Sequence, residues 1–265
     1  MADKTGVYEA YKKDGTKYYR SSINYRNKHI SLGSFSTENK AAKAYKEASL
    51  IIREGKYTIE EYSNKLTLDL DKFVSLINFR DTGIYFKNPI YMRTKYFEYF
   101  LSPREILKFD SEDIFFYGKH KIQTKGGYMF VCDYGSQYNI LSRFGIKNFA
   151  VKDRDYIFAN GDDRDFRYEN VKVINNFLGV KKKSGKLQDM FEVYIHVKGN
   201  YLVGRYDREV SAAIAYNKAV DVLIANGSTK KYVKNYIENI NPIEYAKLYN
   251  AIKISERIEK IGKMS

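Results

Sequence analysis

The sequence predicts an α+β fold: two small modules, each a three-stranded sheet backed by one helix, flanking a central segment of degenerate ββα type. Three observations lead there. A stretch of sequence recurs at a constant offset of 171 residues. In each copy the hydrophobic period changes from two to 3.6 at a glycine, as at a strand-to-helix junction. The basic excess also gathers at the two ends, +5 over residues 1–60 and +7 over 176–265, against +2 between.

The repeat runs from Gly33-Ser34-Phe35 to Ala48 and from Gly204-Arg205-Tyr206 to Ala219, with Gly, an aromatic, Glu, Ala-Ala and Ala-Tyr in register. Ala41, Ala44, Tyr45, Ala48 and Ile52 share one helical face, as do Ala212, Ala215, Tyr216, Ala219 and Leu223. Thr37 and Asp207 are the expected N-caps, and Gly55 and Gly227 the expected stops. Upstream, residues 18–23 and 29–32 flank a polar turn at Tyr25-Arg26-Asn27-Lys28, which predicts a hairpin. The second copy alternates Phe191, Val193, Ile195 and Val197 inward with Glu192, Tyr194 and His196 outward, then turns at Lys198-Gly199-Asn200. Gly6-Val7 and Gly179-Val180 open a first strand in each.

Alternation puts Arg20, Ser22 and Asn24 on the face away from the helix, joined by Arg26, Lys28 and His29 around the turn. In the second copy the corresponding set is Tyr194, His196, Lys198 and Arg205, with Lys181, Lys182 and Lys183 in a basic loop between its first two strands. Arginine suits guanine edges and phosphate, asparagine suits adenine, and lysine suits phosphate, so the expected partner is double-stranded DNA. A net charge of +14 favours polyanions in general.

Tyr19-Arg20-Ser21-Ser22-Ile23, then His29 to Phe35 and Ala41-Ala42-Lys43-Ala44-Tyr45, resemble the plant ethylene-response-factor (Apetala) type DNA-binding domain. That resemblance covers about residues 6–55 and 179–226. It implies a three-stranded sheet on a helix whose sheet enters the major groove. It also implies a phage or mobile-element setting, since outside plants the domain accompanies homing endonucleases and integrases. The second copy departs at Glu192, where the reading strand has a basic residue in the family.

Between the modules, Asp155 to Val171 resembles a His-Asn-His nuclease core. Arg167, Glu169, Asn170 and Val171 fall on its Arg-x-Glu-Asn-Leu signature, but Ile157 and Phe158 stand where the paired histidines belong. Neither accepts a proton or ligates a metal, so no catalytic residue, metal or cofactor is expected. Asp155, Asp162, Asp163 and Asp165 have the ligand type for Mg²⁺, although a bare acidic loop is more often solvated. Arg143, Lys147, Arg154, Arg164 and Arg167 are candidates for DNA-backbone contact. His120 reads as structural, and Cys132, in the apolar run 128–132, as a buried thiol.

These readings divide the chain at 1–56, 57–118, 119–178 and 179–265. Phe73, Val74, Leu76 and Ile77 mark a short amphipathic element, and Asn241-Pro242 with Glu244 starts a last helix. With no apolar run of membrane length, no secretory leader and one cysteine, a cytoplasmic protein without a membrane partner is expected. The leading expectation is a sequence-preferring, non-catalytic DNA-binding regulator. Two others stand beside it: a nicking endonuclease with an atypical metal site, and an interaction protein or inhibitor acting on a nucleoprotein complex or an acidic protein.

Overall fold

Short sheets and alanine-rich helices organise the chain, which the computed structural model describes over residues 6–238 and 240–261. It forms two compact units, residues 1–140 with 162–170, and 141–161 with 171–265. Small antiparallel sheets and helices occur in both, so the fold is α+β. No helix among the described residues is long and apolar enough to cross a membrane.

The first unit begins with strands β1 (Val7–Tyr11), β2 (Lys17–Tyr25) and β3 (Lys28–Phe35), paired in that order, and helix α1 (Glu38–Ile52). Ala41, Ala44 and Ala48 have no exposed surface, and these methyl groups let the helix axis approach Ile23, Ile30 and Leu32 of the sheet. The Lys40 N–H donates to Thr37 Oγ1 at 3.3 Å, as a cap should, and Gly55 leaves the helix at φ +67°. Arg26 and Asn27 form a two-residue turn with φ of 46° and 60°, the twist-matched hairpin type. Opposite Ser21 and Ser22 the β3 strand carries one extra residue, a bulge beside Gly33.

Residues 70–139 hold more order than their sequence announces. Helix α2 (Leu70–Thr82) packs on α1 and buries Phe73, Val74, Leu76 and Ile77 completely. Then come a sheet of β4 (Ile90–Met92), β5 (Tyr96–Ser102) and β6 (Glu105–Asp110), helix α3 (Ile114–Lys119), and a sheet of β7 (Ile122–Lys125), β8 (Tyr128–Asp133) and β9 (Ser136–Asn139). An aromatic stack joins the first of these sheets to α3 and to the 162–170 segment: Phe109 lies 5.4 Å from Phe97, 4.3 Å from Tyr117 and 5.5 Å from Phe166. Cys132 is exposed, contrary to the buried thiol expected. Val131 is its neighbour on the core side, so alternation turns Cys132 outward.

In the second unit, β10 (Tyr156–Phe158) and β11 (Val171–Val173) form the two strands expected of the central segment; the chain passes from β11 to the next strand without a helix. The repeated module follows as β12 (Val180–Lys183), β13 (Met190–His196), β14 (Asn200–Tyr206) and α4 (Glu209–Ala225). Its bulge falls between Val193 and Tyr194 beside Gly204, matching the first copy. Asp207 is not the cap: Arg208 holds that position, with no side-chain cap bond, and Glu209 instead accepts from the Asn176 backbone and amide. Helices α5 (Pro242–Ala251) and α6 (Glu256–Lys260) pack on α4, with Asn241 capping α5 as expected through the Glu244 N–H at 2.8 Å.

The copies agree at the atomic level. Gly6 (φ +92°) and Gly179 (φ +77°) each accept from the second strand, from the Ser22 N–H at 2.9 Å and the Tyr194 N–H at 2.7 Å. A Cβ on Gly6 would lie 2.3 Å from the Tyr45 ring, and one on Gly179 would lie 2.5 Å from the Tyr216 ring. The helices' outer faces differ in sign. The Glu47 carboxylate accepts from the Thr67 and Leu68 N–H groups at 2.8 and 2.9 Å, just before α2. At the matching place Lys218 donates to the Tyr249 and Ile252 carbonyls at 2.9 and 2.7 Å, at the end of α5.

Three outcomes are expected. Gly6→Ala destabilises the first unit by about 2–3 kcal/mol in chemical unfolding, from clash plus left-handed strain, whereas Gly15→Ala, with open space around it, loses only about 1 kcal/mol. Glu47→Ala leaves the Thr67 and Leu68 N–H groups without their acceptor and lowers stability by about 2 kcal/mol, with Glu47→Gln intermediate. The native protein, without denaturant, reacts with one equivalent of an aromatic disulfide reagent at Cys132.

Candidate nucleic-acid interface

Register decides which side chains share the face opposite the helix. Ile23 and Ile30 are a buried pair on the helix side, so the next pair outward, Asn24 with His29, and the more distant Arg20 with Ser34 and Tyr8, lie on the other side. Arg20, Asn24 and His29 are exposed as expected. Arg20 is steadied by Tyr18, whose hydroxyl accepts from its Nε and Nη2 at 3.1 and 2.7 Å. His29 Nδ1 lies 2.9 Å from Asn24 Oδ1.

Three first-copy candidates are corrected. Ser22 is in the right row but only 7% exposed, a side chain too short to clear a middle strand. Arg26 turns toward the helices: its guanidinium donates to the Phe79 carbonyl near the end of α2 at 3.3 Å and lies over Tyr25. That carbonyl sits at the negative end of a helix and attracts a cation. Lys28 pairs in register with Tyr25 on the helix side, and its ammonium rests 5.0 Å from the Tyr85 ring centre.

The second copy's outer face carries Lys181, Lys183, Glu192, Tyr194, His196, Asn200 and Arg205. Residues 181–183 are strand β12, not a loop. This places Lys182 on the helix side, where it pairs with Asp189 at 2.6 Å. Arg205 stands directly across from Glu192 and donates to it at 2.9 Å, while the Tyr194 hydroxyl donates to the other oxygen at 3.0 Å. These bonds hold the Glu192 carboxyl below its usual range and raise Tyr194 and Arg205. Lys181 lies over the Tyr194 ring at 4.9 Å, and Lys198 is exposed at the hairpin tip. His196 Nδ1 is 3.0 Å from Asn200 Oδ1. Beside this hairpin a cleft of about 170 Å³ is lined by Arg154, Lys181, Tyr194, His196 and Asn200.

Among the central candidates, Lys147 and Arg164 are exposed and Arg143 is half-buried. Arg167 is a correction: it grips the fully buried Asp165 through Nε and Nη2 at 2.8 and 2.6 Å and lies over Tyr96. Asp165 raises the guanidinium pKa further, and Arg167 is a structural ion pair. Arg154 keeps an exposed flank but pairs through Nε and Nη2 with Asp155, itself buried and bonded by Asn175. Asp162 pairs with Lys108 at 3.1 Å. Asn170 donates to the Asp162 and Asp165 carbonyls and so closes this loop. Among the described residues no three His, Cys, Asp or Glu side chains group as metal ligands. His120 is held by the Phe116 carbonyl and Asp133.

Sequence reading missed Tyr8, Tyr18 and Asn200 on the outer faces. Alternation along β1 and β2 carried that signal for the two tyrosines, and the register around the 197–199 turn carried it for Asn200. No family model, no curated protein and no solved structure matches the chain.

Proposed function

We propose that this protein binds double-stranded DNA without cutting it, each module offering the outer face of its sheet to the major groove. One observation carries the reading: both outer faces bear an arginine on the same cross-strand pair, Arg20 with Ser34 and Glu192 with Arg205, and a His–Asn pair beside the hairpin turn. A sheet face of this width suits the groove, arginine serves guanine or phosphate, and lysines at the edges serve phosphate. The central segment supports non-cleaving binding, since Ile157 and Phe158 occupy the positions that the resembled chemistry needs as histidines. The second module is the weaker of the two, because Glu192 neutralises Arg205 and presents negative charge toward phosphate.

The test is fluorescence anisotropy with duplexes recovered by selection from random DNA, Mg²⁺ present and the products inspected for breaks. Intact duplex is retained, and affinity falls steeply with salt. Arg20→Ala weakens binding about tenfold. Glu192→Gln tightens binding at low salt by about threefold, by removing a repelling charge. No retention at low salt sinks the reading; strand breaks abolished by chelator replace it with a nicking enzyme.

A further inference from the structure

The two outer faces share one feature that charge does not explain. In each module an imidazole and a carboxamide are joined across the second and third strands, next to the hairpin turn. The partners are exchanged: asparagine is on the second strand in Asn24–His29, and histidine is on the second strand in His196–Asn200. All four residues are exposed. A cross-strand contact made only for the sheet would be satisfied by many polar pairs. This one keeps the same two chemistries at the same place with the order reversed.

The geometry assigns the protons. A carboxamide oxygen only accepts, so the ring nitrogen facing it, Nδ1, carries the hydrogen. In its neutral form the imidazole then has an unprotonated acceptor at Nε2. The asparagine, with its oxygen engaged, has its Nδ2 donors left over. Among the described residues neither Nε2 of the two histidines nor Nδ2 of the two asparagines has a hydrogen-bond partner. Each dyad therefore has one donor and one acceptor left over, on two exposed side chains joined by a single bond.

In the major groove that pattern complements adenine, which offers N7 as acceptor and the N6 amino group as donor. Guanine offers two acceptors there, and its O6 would face the lone pair of Nε2. We propose that each dyad reads one adenine, Asn Nδ2–H donating to N7 and His Nε2 accepting from N6–H. In the second module, Lys181 lines the same cleft as His196 and Asn200 and would hold the adjoining phosphate. The proposal rests on the duplex-binding reading above.

The experiment uses the full chain and the duplex recovered by selection, with single adenines replaced in turn by 7-deazaadenine, which lacks the N7 acceptor. At least one replacement weakens binding about tenfold, and Asn24→Ala or His29→Ala weakens the parent duplex by a similar factor while erasing that sensitivity. The exchanged double variant N24H/H29N, which copies the order of the second module, stays within about threefold of the original. A duplex bound tightly and indifferent to every 7-deaza replacement overturns the dyad and leaves DNA binding standing. So does an exchanged variant that is folded by circular dichroism yet binds as weakly as the single variants. No duplex retained at low salt overturns the duplex reading itself and the dyad with it.

Discussion

A tyrosine ring laid against a backbone with no Cβ sets the geometry of both modules. Gly6 meets Tyr45 and Gly179 meets Tyr216, and in each case the same glycine accepts from the second strand. The contact pins the first strand to the helix at the level of the bulge. A bulge changes which residues share a face, so pinning it fixes the rows on either side. The buried Ile23–Ile30 pair then lies inward and the Asn24–His29 pair outward. A one-residue slip would send the isoleucines to water and the polar pair to the alanine helix. The alanines complete the constraint, since larger side chains would lift the helix and open the glycine–tyrosine contact.

Three of the basic side chains have been put to a different use, the ends of helices. Arg80 of α2 donates to the Ile51, Lys56 and Tyr57 carbonyls where α1 finishes, Arg26 serves the end of α2, and Lys218 the end of α5. Glu47 takes the reverse task at the start of α2. The duplicated helix thus accepts different neighbours with little change: a carboxylate where the next helix begins, an ammonium where another one ends. Its sign follows the backbone dipole it meets.

The repeat, the helical faces, the Thr37 and Asn241 caps and the glycine stops were all legible, because each depends on a few adjacent residues. What sequence missed depends on distant ones. Arg26 and Lys28 read as free cations until α2 and Tyr85 come beside the hairpin. Asp207 is a nearer miss, since the repeat's offset sets Arg208, and not Asp207, at the place of Thr37. Arg167 looked like a surface arginine until the loop closed over Asp165. The exchanged dyad was hidden for a simpler reason. The offset of 171 holds along β3 and α1, but the second module's turn is one residue shorter, so β2 matches β13 only at 172. A constant offset sets Asn24 against Ile195 and conceals the exchange.

Net charge and selectivity are therefore separable in this chain. Arg154, Arg167, Arg205 and Lys108 are each matched to a carboxylate at close range, so these four cations add little to the positive field near the sheets. Under the proposed function, the lysines at loops and tips supply a salt-sensitive attraction that any duplex satisfies. Discrimination then falls to groups whose hydrogen bonds have direction, and on these faces Arg20 and the two dyads are such groups. Each dyad's ring and amide hold one another in place, so little freedom remains to be lost on meeting a base. Duplicating the module and reversing the partners preserves that orientation while moving both residues to opposite strands. The internal bond, more than either residue's identity, is what such a face needs to keep.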